Sequence, residues 1–368
     1  MRYYIISGEA SGDLHGSNLI KELRKLDTQA HIRAWGGNKM QDAGATLVKH
    51  YRDLAFMGFV EVILNLKTIL SNIAFCKKDI LAFKPDVLVL IDYPGFNLRI
   101  ARWAKKQGIK VVYYIAPQVW AWKENRAKAM KRDIDKMLVI LPFEKEYFAE
   151  KWRWPVSYVG HPLVKVIDDF AAEKRSLESP GKHVIALLPG SRSQEISVKL
   201  PIMLEVTKAF PHYSFVVSKA PGQDDAFYKG FLEQYTNVST TRDTYELLAT
   251  SDAALVTSGT ATLETALFEV PQVVCYKGNS ISYAIAKRLI KIKYISLVNL
   301  IMDKPVIKEL IQKELKPGNL IAELDNLLHN DAYKSRIQND YKALKHLLSA
   351  GGNASENAAK QVWACINT

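Results

Sequence analysis

Tyr3-Tyr4-Ile5-Ile6-Ser7 followed by Gly8-Glu9-Ala10-Ser11-Gly12-Asp13 and then Leu14 is a short apolar run, a small-residue turn and the start of a helical pattern. An apolar run of strand length that breaks at glycine and resumes with helical periodicity is the opening of a β-α unit in a parallel sheet. Glycines at the break let the backbone turn tightly and approach a ligand, and the helix that follows offers unpaired N–H groups. The string is neither GxGxxG nor a P-loop, since no Lys-Ser or Lys-Thr follows. Glu9 and Asp13 place negative charge where a phosphate would otherwise sit, which favours a hydroxyl-rich or protonatable ligand.

The same rhythm continues outward from this stretch. Val87 to Ile91, Val111 to Ile115 and Met137 to Leu141 read as further strands. A second series follows, with strands over His183 to Leu188, Ser214 to Val217, Ala253 to Thr257 and Gln272 to Cys275. Strands alternating with helices in two series predict an α/β protein of two doubly wound, Rossmann-like domains. The boundaries read as 1–164, 165–345 and a terminal helical piece, 346–368, free to turn at Gly351 and Gly352 and to pack on the first domain or on a partner chain.

A chain of 368 residues exceeds what one core usually supports. Its apolar fraction of 48% and charged fraction of 24% are those of a globular protein. Cys76, Cys275 and Cys365 show no disulfide or zinc spacing, and the N-terminal apolar run is too short for a signal-peptide core, so a cytoplasmic protein is expected. The net charge of +12 calls for an anionic partner. From Arg99 to Lys136 eleven Lys or Arg face three acids, with Trp103, Trp120 and Trp122 among them. Leu54 to Phe75 has the length of a membrane span but carries Glu61 and Lys67; Glu61, Asn65, Thr68 and Asn72 form a polar stripe opposite a broad apolar face. That face suits either a core helix or an interfacial helix meeting acyl chains.

Two loops of the second series suit a nucleotide diphosphate. Gly190-Ser191-Arg192, with Glu195 one turn on, presents a cation at the end of a strand. Ser258-Gly259-Thr260-Ala261-Thr262 puts small residues over a helix start, with Glu264 a turn in. Small residues and Thr also make helix caps; two such loops at one end of one sheet, with an Arg, favour the diphosphate.

GEASGD (8–13), MGFVEV (57–62), PDVLVLIDYPGFN (85–97), IAPQVWAW (115–122), SYVGHPL (157–163), LLPGSR (187–192), SGTATLE (258–264), AKRLIK (286–291) and YISLVNL (294–300) occur in this order along nearly the whole chain. In this the sequence resembles the lipid-A-disaccharide synthase family. The resemblance implies a GT-B architecture with the two domains facing a cleft. It implies an inverting reaction joining UDP-2,3-diacylglucosamine to 2,3-diacylglucosamine 1-phosphate with release of UDP, at the cytoplasmic face of the inner membrane. No cofactor or metal is expected, an anionic membrane surface is a partner, and a homodimer is left open. Such transfer needs a carboxylate base and a cationic or dipolar clamp. Asp92 is the expected base, with Glu9 in reserve, because the family often has a second acid where this chain has Gly95. Arg192 and the Ser258 to Thr262 helix start are the expected clamp, Glu264 and Asn299 further donor contacts, and Gly8, Ser11, Gly12, Asp13, Met57 and Asn97 the acceptor side.

Asp133-Ile134-Asp135 fits the metal-binding DxD string of other glycosyltransferases, but it precedes a strand and so belongs at the wrong end of the sheet. A UDP-N-acetylglucosamine epimerase is the rival of the same architecture. A nucleic-acid-binding protein would draw on the basic cluster, but no RRM, KH or zinc signature accompanies it.

Overall fold

The computed structural model describes residues 1–54, 66–173, 183–279, 283 and 293–367. The whole of MGFVEV with Met57 and Glu61, then Asn65, and AKRLIK lie outside them. The chain divides into two compact units, one of Met1–Pro162 with Leu348–Thr368 and one of Leu163–Leu347.

The first unit holds β1 (Arg2–Ser7), α1 (Ala10–Leu26), β2 (His31–Gly36), α2 (Asn38–Asp42), β3 (Thr46–His50), α3 (Leu66–Phe83), β4 (Val87–Ile91), α4 (Pro94–Lys106), β5 (Lys110–Tyr114), α5 (Arg126–Asp133), β6 (Lys136–Val139), α6 (Pro142–Trp152) and β7 (Ser157–Tyr158). Its seven strands lie in the order β3-β2-β1-β4-β5-β6-β7, and every pairing is parallel. Strands buried on both faces read as unbroken apolar runs, which is why β1, β4 and β5 stand out in the sequence. One face carries Tyr4, Ile6, Leu88, Leu90 and Tyr113 under α3 and α4; the other carries Tyr3, Ile5, Val87, Val89 and Val112 under α1.

The second unit runs α7 (Pro162–Glu173), β8 (Val184–Leu188), α8 (Ser193–Val206), β9 (Ser214–Ser218), α9 (Asp225–Leu232), β10 (Val238–Thr241), α10 (Thr244–Ala249), β11 (Ala253–Thr257), α11 (Thr260–Leu267), β12 (Gln272–Tyr276), α12 (Leu297–Met302), β13 (Lys308–Ile311), α13 (Pro317–His329) and α14 (Asp331–Ser349). Its sheet order is β10-β9-β8-β11-β12-β13, again all parallel. The last helix, α15 (Ala354–Asn367), returns to the first unit and packs along α1, β4 and β5. Ala358, Ala359 and Val362 join that unit's core.

Both sheets reverse their winding once, between β1 and β4 and between β8 and β11. In an open parallel sheet ligands bind outside the carboxyl ends of the strands at such a reversal. The loops after β1 and β4 are GEASGD and DYPGFN; those after β8 and β11 are PGSR and SGTATLE.

Three expectations change. The first helix begins at Ala10 rather than Leu14, so Ser11, Gly12 and Asp13 are helical. Strands β2, β3, β7, β10 and β13 lie outside the runs that the sequence marks as strands. The polar stripe of Leu54 to Phe75 is not simply outward: within α3, Asn72 is buried and accepts a hydrogen bond from Lys49 Nζ at 2.8 Å, while Leu70 and Phe75 are 59% and 47% exposed. Ile73, Cys76 and Ile80 of the same helix sit in the core. A partner for its amide lets Asn72 face inward, and apolar side chains are left in water.

Candidate active site

At the first reversal the backbone itself is unusual. Asp92 and Tyr93 have φ of 44° and 49°, and Ile115, at the end of the neighbouring β5, has φ of 69°. Side-chain-bearing residues in the left-handed region, above all a β-branched one, persist only where the surroundings hold them. The hold is visible. Asn97 Nδ2 donates to the carbonyls of Asp92 at 2.8 Å and Ile91 at 3.2 Å, and Tyr113 Oη donates to Asp92 O at 2.6 Å. Asn97 is fully buried, so it positions the β4-α4 turn from beneath. Tyr93 lies over Gly8: a Cβ at Gly8 would stand 2.4 Å from the Tyr93 ring, so only glycine admits that packing.

The half-buried Asp92 carboxyl is pushed up to about 6, first by burial and then by the negative charge of Glu9, with the Tyr93 backbone N–H opposing. A carboxylate poised near neutrality at a sheet reversal is what general-base work requires. Glu9 is the N-cap residue of α1 and makes no side-chain cap hydrogen bond. Asp13 does something else. Its oxygens accept from the backbone N–H groups of Gly37, Met40 and Lys39 at 2.7, 3.0 and 3.2 Å, capping α2. Buried and so bound, it secures the β2-α2 turn, while Ser11 is exposed.

The second reversal carries a glycine turn and an arginine at its helix start. Gly190 has φ of 130°, and a Cβ there would meet Glu195 Oε2 at 2.6 Å, so the turn needs glycine. Arg192 is the N-cap residue of α8, exposed, with Nη1 3.3 Å from Glu195 Oε1. Neither α8 nor α11 has a side-chain hydrogen bond from its N-cap residue. Thr262 Oγ1 instead donates to Gly259 O at 2.8 Å and Ser258 Oγ to Ile295 O at 2.9 Å. Thr260 and Ala261 open α11 just after β11, as Ser193 opens α8 just after Arg192, and the first N–H groups of a helix have no intrahelical acceptor.

Two expected donor contacts have other partners. Glu264 accepts from Tyr245 Oη at 3.0 Å, and burial raises its carboxyl against that bond. Asn299 is buried; its Nδ2 donates to Ile307 O at 2.9 Å and Glu309 Oε1 at 3.0 Å, and its Oδ1 accepts from Ile307 N at 3.0 Å. Its amide thus ties α12 to β13. Asp133 pairs with Arg132 at 2.6 Å, and Asp135 pairs with Lys105 and accepts from Val111 N at 2.9 Å, at the amino end of β6. Among the described residues no group of three or more His, Cys, Asp or Glu side chains is placed to hold a metal.

A family model described as lipid-A-disaccharide synthetase matches residues 3–364. The chain belongs to this family. A curated lipid-A-disaccharide synthase of Trichlorobacter lovleyi is 37% identical over 362 residues, 95% of this chain and 94% of that one. Members of the lipid-A-disaccharide synthase family are glycosyltransferases of lipid A biosynthesis, and this chain is one of them. Among solved structures, the glycosyltransferase of kitacinnamycin superposes with a TM-score of 0.69 at 15% identity, covering 99% of both chains. A UDP-GlcNAc 2-epimerase of Neisseria meningitidis bound to UDP-GlcNAc gives 0.64 at 14%, also covering 99% of both. At such identities the likeness is one of fold, the two-domain GT-B architecture; it does not make this family member an epimerase.

Tyr93 and Tyr113, which shape the turn at Asp92, and the left-handed Ile115 beside it are not among the residues the sequence singles out. Two consecutive non-glycine residues in the left-handed region leave no signature in composition or periodicity.

Proposed function

We propose that the enzyme transfers the 2,3-diacylglucosamine unit of its UDP derivative to the primary hydroxyl of 2,3-diacylglucosamine 1-phosphate. Asp92 takes the hydroxyl proton as the acceptor oxygen forms its bond to the anomeric carbon. The bond from that carbon to UDP breaks on the opposite face, which inverts the centre. Arg192 and the N-termini of α8 and α11 stabilise the charge gathering on the diphosphate. Two observations, each within its own unit, support this reading: a raised carboxyl at the reversal of the first sheet, and at the reversal of the second an arginine-bearing helix start whose N-cap side chain makes no hydrogen bond. Glu9 is the reserve base. Gly8, Ser11 and Gly12 form the acceptor side, and Asp13 and Asn97 hold its shape.

Incubating the purified protein with both lipid substrates and following UDP and disaccharide by mass spectrometry tests the reaction. Formation of epimerised UDP-sugar without the lipid acceptor would replace it with the epimerase reading. With the cationic duty on Arg192 and two helix starts, turnover persists in excess EDTA; loss restored by Mg²⁺ would return Asp133 and Asp135 to the argument.

A substrate carrying several acyl chains leaves a bilayer at a cost of about 0.8 kcal/mol per methylene, so the enzyme goes to it. Among the described residues no helix is long and apolar enough to cross a membrane. The exposed Leu70, Phe75 and Leu81 of α3, with Trp122 flanked by Lys123 and Arg126, support reversible binding to the anionic cytoplasmic leaflet. Leu70→Glu with Phe75→Glu lowers retention on anionic vesicles while the variant still melts cooperatively; full retention would put the contact elsewhere.

A further inference from the structure

Lys199 is a charged side chain with no part in the proposed transfer. It lies on α8, one turn beyond Glu195, and is only 3% exposed. Lysine is almost never buried this deeply without a partner. Among the described residues its hydrogen-bond partner is Thr257 Oγ1, a neutral hydroxyl on the last residue of β11. Thr257 immediately precedes the Ser258-Gly259 turn. The ammonium therefore joins the helix that starts at the Gly190–Arg192 loop to the strand that ends at the Ser258–Thr262 loop.

The electrostatic surroundings are lopsided. Burial lowers the affinity of Lys199 for its proton; Glu195 and the buried Cys275 on β12 oppose that, and Arg192 adds to it. Glu195 is shared with Arg192. A buried cation whose hydrogen-bond partner is a hydroxyl and whose nearest carboxylate is shared with Arg192 is a costly ground state, and a polyanion bound nearby would relieve the cost.

We propose that Lys199 is a positioning residue of the donor site, holding the two phosphate-facing loops in register through Thr257 and lending its positive charge to the diphosphate. This rests on the donor-site reading and deepens it. The ligand chemistry is that of a nucleoside diphosphate, and the contribution belongs to the phosphates rather than to the nucleoside.

The test compares UDP with uridine in calorimetric titrations of the whole enzyme. Lys199→Met keeps the length and apolar stem while removing the charge. UDP affinity falls about tenfold, the scale of one charge-assisted contact, uridine affinity is unchanged, and thermal stability is equal or higher. Thr257→Val, which leaves the ammonium but takes its acceptor, lowers the UDP-to-uridine preference; Thr257→Ser restores it. Unchanged UDP affinity in Lys199→Met, or equal weakening of UDP and uridine, overturns the proposal. Should Lys199→Met fail to fold, the Thr257 pair decides: a preference that does not differ between Val and Ser overturns it. If the wild-type enzyme itself does not bind UDP, the donor-site reading has failed first.

Discussion

The two units share one topology, a single winding reversal in each sheet, and set opposite chemistry beside it. At the reversal of the first sheet stand Glu9 and Asp92, with burial and mutual repulsion raising the Asp92 carboxyl, on a backbone forced into the left-handed region and held from beneath by Asn97 and Tyr113. At the reversal of the second stand Arg192, two uncapped helix starts and the buried Lys199. In open parallel sheets winding decides where a ligand can sit, and the side chains at that place decide its chemistry; under the proposed function the first place takes a proton and the second a phosphate.

Asp92→Asn separates the two places most sharply. It removes the proton acceptor without changing shape, so kcat drops by roughly 10²- to 10⁴-fold while calorimetric UDP affinity stays as in the wild type. Near-normal turnover would move the base to Glu9. Arg192→Met is the reciprocal cut, and UDP affinity falls by roughly 10- to 100-fold, the range of hydrogen bonds to charged groups. If instead UDP binding is indifferent to Arg192, the anion cradle of the second unit has been misassigned.

The contrast also has a pH signature. A carboxyl raised to about 6 is protonated below that value and becomes a base above it, so kcat/KM rises with pH through about 6. The same shift means that ionisation of Asp92 disfavours the folded state: the stability held at low pH is lost as pH rises through the raised value. Asp92→Asn therefore flattens the acid limb and raises the melting temperature at pH 8 but not at pH 4. An acid limb that survives the substitution would belong to another group.

Gly8→Ala probes the fit of the first site alone. The added methyl meets the Tyr93 ring, and overpacking of this kind costs about 1–3 kcal/mol. Chemical denaturation should show that loss, with UDP affinity unaffected. An unchanged unfolding midpoint would show that Tyr93 can move aside.

Much of this architecture is legible in the residues. Central strands such as VLVLI and AALVT are apolar on both faces and bounded by turn residues, and the loops at the two reversals stand out by small residues at strand ends. The edge strands are not so written. TLVKH, VSTT and KELI are short and half polar because each has a neighbour on one side only or lies next to the rim. Sequence also cannot say what a polar residue is bound to. Asp13 looks like part of a ligand loop and is the cap of another helix; Asn299 looks like a donor contact and is spent on Ile307 and Glu309. Lys199 escapes notice because a lysine in a helix reads as a solvated face until the fold closes over it.

The return of α15 to the first unit has a consequence for how the protein is made. The second unit is one continuous stretch, whereas the first is missing Ala358, Ala359 and Val362 until the far end of the chain has been translated. On the ribosome the later-encoded unit can thus be complete before the earlier one. The first sheet must wait with the α1, β4 and β5 surface that α15 covers open to solvent. A stop codon just after Leu347 would spare the second unit's chain and leave the first without its closing helix, a nascent surface for chaperones rather than a shortened enzyme.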